Sequence, residues 1–435
     1  MPDTRRPDSL FIGKWVVLFR LAYLQGIGMA LVFGSNLLLT NLLSTDEYGA
    51  YVSILQGIML FSVLLIGGLD EWITVELPAL IKSNDLPTAR ILHHWSNSYL
   101  LKRFFTSLTV VSIIYFLWIW FSDSTPATII DFALGAGIAL LITLFVKQVS
   151  ELRSTGHYQL VQVMDNIAKP LAQPLFLLLS VCIVQLPATS SVSIGAQLMG
   201  LLILVIGTRV ILQNKQPYLQ EHLKINTSHT VDQLPGRYRL SVFNRSSLLH
   251  YLLVRADLLI LTLLGSNVVV GQYNVLNRVT EWCMAPAILL NTAHIKEVSE
   301  AKLTEPENGL PTLIKQLIWK SAAFTALTAA VLFLAGVGIL NLFGTSYVQG
   351  YSLLFPMTLS FLFMATAAPM NHWLKVLGKE SVSLRITTVT VIAQIFLCTG
   401  LFYRMGPLGA AWGTMFANLL YLILQILSLR SRKES

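Results

Sequence analysis

Apolar residues in this chain come in long blocks, and polar residues gather in short stretches between them. Twelve blocks approach the roughly 20 residues that a helix needs to cross a bilayer core of ~30 Å. They are centred near residues 28, 60, 110, 138, 173, 201, 254, 279, 328, 362, 392 and 418. The connections are short, for example "STDEYG" at 44–49 and "FGTSYVQG" at 343–350. The pattern predicts an all-α polytopic membrane protein of about 12 transmembrane helices. Composition agrees: of 435 residues, 54% are hydrophobic and 12% charged, about half the charge of a soluble domain. Mean hydropathy is +0.65.

Basic residues then set an orientation, because Lys and Arg concentrate on the cytoplasmic side. With a cytoplasmic N-terminus, 25 of the 30 basic residues fall in inside segments and one, Arg404, falls outside. Both termini are therefore expected on the cytoplasmic side. The net charge of +8 is accounted for by these inside loops, so nucleic acid is not expected as a partner. The N-terminal "MPDTRRPDSLFIGKW" lacks a small-residue cleavage site and reads as the lead into the first span. The outside loops are too small to house the chemistry of a membrane glycosyltransferase or polymerase, and no phosphate-binding loop or cofactor motif is visible, so an enzyme is not expected. Cys182, Cys283 and Cys398 sit far apart in apolar runs and read as packing residues, without disulfide or metal roles. "HH" at 93–94 reads as part of a cytoplasmic loop without partner ligands.

Two short matches recur at one offset. "YGAY" at 48–51 and "VGQY" at 270–273 place Gly49 and Gly271 in register, and "LRSTG" at 152–156 and "LKVLG" at 374–378 do the same for Gly156 and Gly378. Each pair lies at equivalent places in the span order. We expect two six-helix lobes, 1–212 and 238–435, related by an internal repeat and joined by a polar cytoplasmic linker at 213–237. Parallel repeats place a substrate site between the halves near the midplane. Pro170 and Pro174, Pro286, and Pro356 and Pro369 interrupt spans. They read equally as static kinks or as hinges.

Segment 42–78, "LLSTDEYGAYVSILQGIMLFSVLLIGGLDEWITVELP", resembles the early region of the polysaccharide-transporter or Wzx-type oligosaccharide (O-antigen) flippases. Segment 254–300 resembles the seventh and eighth helices of that family, and "NLFGTSYVQG", "LKVLGKES" and "MGPLGAAWGTMFANLL" resemble its C-terminal half. That family belongs to the multidrug/oligosaccharidyl-lipid/polysaccharide exporter superfamily. The resemblance implies a two-lobed bundle that moves undecaprenyl-pyrophosphate-linked oligosaccharides, for lipopolysaccharide or another surface polysaccharide, from the inner to the outer leaflet. It also implies a polysaccharide polymerase and a chain-length regulator as partners.

Charged residues inside spans are costly and mark function. Arg255 lies about twelve residues, or ~18 Å, into the seventh span, and Arg278 about nine residues, or ~14 Å, into the eighth from the other side. Two guanidiniums at one level suit a pyrophosphate, which they can grip bidentately. The plainer reading pairs Arg278 with Glu281 at i,i+3. Lys169 either pairs with Asp165 at i,i+4 or adds a third cation. Arg20 and Arg245 are shallower candidates for the inner mouth. Asp257, Glu281, Asp165 and Asp131 are candidates to carry a coupling H+ or Na+, because removal from water disfavours the charged carboxylate. A multidrug exporter, a peptidoglycan-precursor flippase and an integral-membrane glycosyltransferase or polymerase remain the rivals. The basic residues within spans speak against an acid-lined site for cationic drugs.

Overall fold

The computed structural model describes residues 7–121, 128–217, 240–290, 294, 309–376 and 379–430. Residues 218–237 of the expected linker and Gly378 of the second repeat motif lie outside the described residues, as does the side chain of Arg20, whose backbone lies in the first helix. Among the described residues the secondary structure is helical throughout, without strands. This is what lipid demands: a helix satisfies its own backbone donors and acceptors where no water can.

In chain order the helices are α1 (Pro7–Leu42), α2 (Thr45–Ile66), α3 (Leu69–Lys82), α4 (Leu86–Phe121), α5 (Thr128–Ser154), α6 (Tyr158–Val163), α7 (Lys169–Leu178) and α8 (Ser190–Lys215). Then follow α9 (Leu240–Leu264), α10 (Asn267–Thr280), α11 (Gly309–Phe343), α12 (Thr345–Val348), α13 (Leu354–Val376), α14 (Glu380–Met405) and α15 (Pro407–Arg430). Ten helical segments among the described residues are long and apolar enough to cross a membrane. The blocks centred near 110 and 279 are helical too, within α4 and α10.

By packing, the chain divides into two compact units, Met1–Gly49 with Leu252–Ser435, and Ala50–Tyr251. In the first unit, the start of α2 is pressed against the start of α10. A Cβ on Gly49 would stand 1.7 Å from the carbonyl oxygen of Asn267, and one on Gly271 would meet the Thr45 carbonyl at 3.0 Å and the Gly49 Cα at 3.3 Å. The two glycines of the first repeat motif therefore pack on one another, where no larger residue fits. Tyr48, fully buried, donates to Asn36 Oδ1 at 3.1 Å and accepts from Asn274 Nδ2 at 2.8 Å. Phe33 stacks obliquely on Trp282 at 5.1 Å.

In the second unit, α2 and α3 meet at an elbow. Gly67 and Gly68 have φ of 52° and 71°, a left-handed region that a side chain would strain. Leu69, Trp72, Ile73 and Leu77 of α3 pack with Leu92 and Leu100 of α4. Pro170 and Pro174 do not break the fifth span. Helix continues from Tyr158 to Ile183 through two π-helical stretches, Met164–Ala168 and Leu179–Ile183. The wider turn before Pro170 falls where that residue has no N–H to give and its ring crowds the preceding turn.

Candidate functional site

Arg255 of α9 and Arg278 of α10 meet at one carboxylate in the first unit. Glu281 follows α10 in a short 3-10 turn, Glu281–Met284. Its Oε1 accepts from Arg255 Nη2 at 2.5 Å and its Oε2 from Arg278 Nη1 at 3.1 Å. The Arg278 contact is the i,i+3 pair weighed in the sequence. The Arg255 contact joins two helices and could not be read from spacing. Side-chain exposures of 15%, 27% and 25% for Arg255, Arg278 and Glu281 leave the group reachable. Both guanidiniums thus converge on the two oxygens of this one carboxylate.

Asp257 faces elsewhere, as its i,i+2 position relative to Arg255 requires. It is buried. Its Oδ2 accepts from the Tyr273 hydroxyl at 2.7 Å and its Oδ1 from the backbone N–H of Leu258 at 2.7 Å. Beside it lies a small cavity, about 10 Å3, lined also by Asn277, Ser360, Thr414 and Asn418. That is room for about one water-sized body. Asn418 Nδ2 donates to Ser360 Oγ at 2.7 Å. Asn418 Oδ1 and Asn277 Nδ2 are buried and make no hydrogen bond among the described residues. Orphaned polar atoms next to a carboxylate and two hydroxyls suit a water or a small monovalent cation held by oxygen atoms. No cluster of three or more His, Cys, Asp or Glu that could hold a metal occurs among the described residues.

Asp165, Lys169, Asp131 and Arg245 lie in the second unit. Asp165 accepts from Arg153 at 3.3 Å, and Lys169, across the π-helical stretch, also acts on its charge. Lys169 Nζ sits 5.8 Å from the centroid of the Phe145 ring. Asp131 accepts from Ser191 at 2.9 Å in an exposed contact between the starts of α5 and α8. Arg245 is exposed near the start of α9.

The "HH" pair is not in a loop. Both histidines lie on α4, and His93 belongs to a buried charged group. Its Nδ1 lies 2.6 Å from Glu151 Oε1, and Lys147 Nζ lies 2.7 Å from the same oxygen. Lys147 also donates to Asn97 Oδ1 at 2.8 Å. Lys147 is almost fully buried. The i,i+4 spacing of Lys147 and Glu151 inside an apolar run was the signal available for this group. For the Asp257 cavity the signal was Tyr273 with Asn277, and Thr414 with Asn418, each pair one helical turn apart.

No protein-family model matches the chain, and comparison of its sequence with curated proteins finds no match. Solved structures do resemble it. An inward-facing multidrug resistance MATE family transporter of the MOP superfamily superposes with a TM-score of 0.78 at 14% identity, over 94% of this chain and 98% of that one. An outward-facing MATE family transporter of the same superfamily gives 0.69 at 15% identity, over 96% of both chains. The lipid II flippase MurJ in an inward closed conformation gives 0.69 at 13% identity, over 94% of this chain and 87% of that one. The chain thus has the two-lobed helical transporter fold of these proteins.

Proposed function

We propose that this chain is a flippase for undecaprenyl-pyrophosphate-linked oligosaccharides, working by alternating access in a bacterial inner membrane. The observation that carries the reading is the Arg255–Glu281–Arg278 cluster. Two guanidiniums already converge on one pair of anionic oxygens, and a pyrophosphate offers the same geometry with more charge. Glu281 holds the place that the substrate anion would take. A proton on Glu281, or its movement away, releases both arginines for the pyrophosphate, so substrate binding and proton binding favour each other by linkage. The cavity beside Asp257 gives a second place for a coupling H+ or Na+, with Asp165 and Asp131 as lesser candidates.

The moving bodies in this reading are the six-helix lobes 1–212 and 238–435, joined through 213–237. Lys169, Arg20 and Arg245 serve sugar or phosphate contacts along the path. The prenyl tail stays in lipid, and the product passes to a polymerase and a chain-length regulator. The fold shared with MurJ and the MATE transporters is compatible with a lipid-linked cargo and equally with a soluble one; the arginine pair inclines the reading to the anionic lipid.

The test is transport of a labelled lipid-linked oligosaccharide in proteoliposomes, alongside surface polysaccharide in cells. Arg255→Ala and Arg278→Ala should each abolish both signals while protein levels hold. Normal polymer from both variants would remove this site from the mechanism. Extrusion of cationic drugs, with no movement of the lipid-linked sugar, would return the chain to the exporter reading.

A further inference from the structure

The second unit carries an open cavity of about 500 Å3 that the proposed transport site does not use. One wall is a single face of α4, where Trp95, Ser98, Tyr99 and Lys102 recur at helical spacing. The other wall is the start of α9, with Ser241 and Asn244. The Trp95 and Tyr99 rings stack on one another, 4.9 Å apart and within 27° of parallel, and this stacked pair forms an aromatic shelf along one wall. Buried Trp72 abuts Trp95 edge-on at 5.4 Å and holds the shelf from beneath.

Arg103 is fixed beside this shelf. Its Nη1 donates to the Tyr99 hydroxyl at 2.5 Å and its Nη2 to Asn244 Oδ1 at 3.4 Å. With its oxygen so engaged, Asn244 is left with its amide NH2 to donate. The glycine elbow accommodates both walls. A Cβ on Gly67 would collide with the Arg103 guanidinium, and one on Gly68 with the Phe243–Asn244 backbone. Lys102 is exposed at the rim, and its ammonium has no partner among the described residues. The apolar run of α4 begins at Phe104, directly after these two cations, so the cavity sits at headgroup level on the end rich in basic residues.

We propose that this cavity binds a phosphorylated sugar headgroup at the cytoplasmic surface, before it enters the transport path. A pyranose ring presents an apolar C–H face to an aromatic shelf, its hydroxyls to amide and serine groups, and its phosphate to Lys102 and Arg103. The volume suits one or two sugar rings. The same chemistry would also receive an ordinary anionic phospholipid with a polyol headgroup, such as phosphatidylglycerol. Assigning the sugar to the substrate rests on the flippase reading.

The full chain, in nanodiscs of zwitterionic lipid, is titrated with a hexose 1-phosphate, with inorganic phosphate and with the free hexose, using calorimetry and tryptophan fluorescence. The hexose 1-phosphate should bind more tightly than either fragment. Lys102→Ala should weaken it tenfold or more and leave the free hexose unchanged. Trp95→Ala should weaken hexose and hexose 1-phosphate and leave inorganic phosphate unchanged; Trp95→Phe keeps an aromatic floor and should retain most binding. Binding of the hexose 1-phosphate no tighter than of phosphate, or unaffected by both alanine variants, overturns the proposal. So does a titration in which phosphatidylglycerol nanodiscs occupy the site and the hexose 1-phosphate never displaces the lipid. In the Arg255→Ala/Arg278→Ala double variant transport should be lost, while the part of the binding that depends on Lys102 and Trp95 persists. If the native chain binds hexose 1-phosphate in this way yet moves no lipid-linked sugar, the flippase reading fails and the sugar site stands.

Discussion

Replacing Glu151 by alanine isolates what the buried charge group contributes. Glu151 and Lys147 have side chains only 1% and 2% exposed, so solvent cannot take over the lost interaction. The carboxylate receives Lys147 Nζ at 2.7 Å and His93 Nδ1 at 2.6 Å on one oxygen. Without it, an ammonium is stranded among apolar side chains with Asn97 as its remaining oxygen partner. Removing one partner of a buried pair costs about 3–5 kcal/mol, more than the pair itself contributes over an apolar alternative. For a cooperative unit of roughly 200 residues this corresponds to a fall in thermal midpoint on the order of 10 °C. The assay is thermal denaturation of the detergent-solubilised protein, followed by loss of the monodisperse peak. Glu151→Ala should show the full drop. The double variant Lys147→Met/Glu151→Leu should recover most of it, because neither charge is then left alone. A small effect of Glu151→Ala, or a double variant as unstable as the two single losses combined, would refute the reasoning.

Asp257→Asn keeps the shape of the cavity and a partner for Tyr273 but removes the charge; the protein should fold, and transport should lose its dependence on the H+ or Na+ gradient. An unchanged response to both gradients in proteoliposomes would take Asp257 out of coupling. Gly49→Ala forces a methyl group into the Asn267 carbonyl and should abolish monodisperse protein, whereas Gly57→Ala, with nothing within 4 Å of its added carbon, should be tolerated. Equal yields on size-exclusion chromatography would contradict the close approach.

The long apolar blocks made the helices legible, because a segment that must bury its backbone in lipid has few alternatives. The depth of a charge along a span was legible too: Arg255 and Arg278, measured inward from opposite ends, came out at one level, and both reach Glu281. What escaped was of two kinds. Ser360 and Thr414 barely alter a hydropathy profile, and Asn277 and Asn418 carry no charge to mark them, yet all four line the Asp257 cavity. Pairings between helices, such as His93 with Glu151 at a separation of 58 residues, depend on which faces meet, and no local period reports that.

The glycine contact between the start of α2 and α10 also has a consequence for how the protein is made. Tyr48 and Asn274, bonded beside that contact, are 226 residues apart. At 5–20 residues per second, synthesis leaves the start of α2 waiting roughly 10–45 s for its partner. During that interval the tyrosine hydroxyl has Asn36 to bond, but the glycine face has no α10 to cover it. The first unit is therefore completed late, by two segments laid down more than two hundred residues apart.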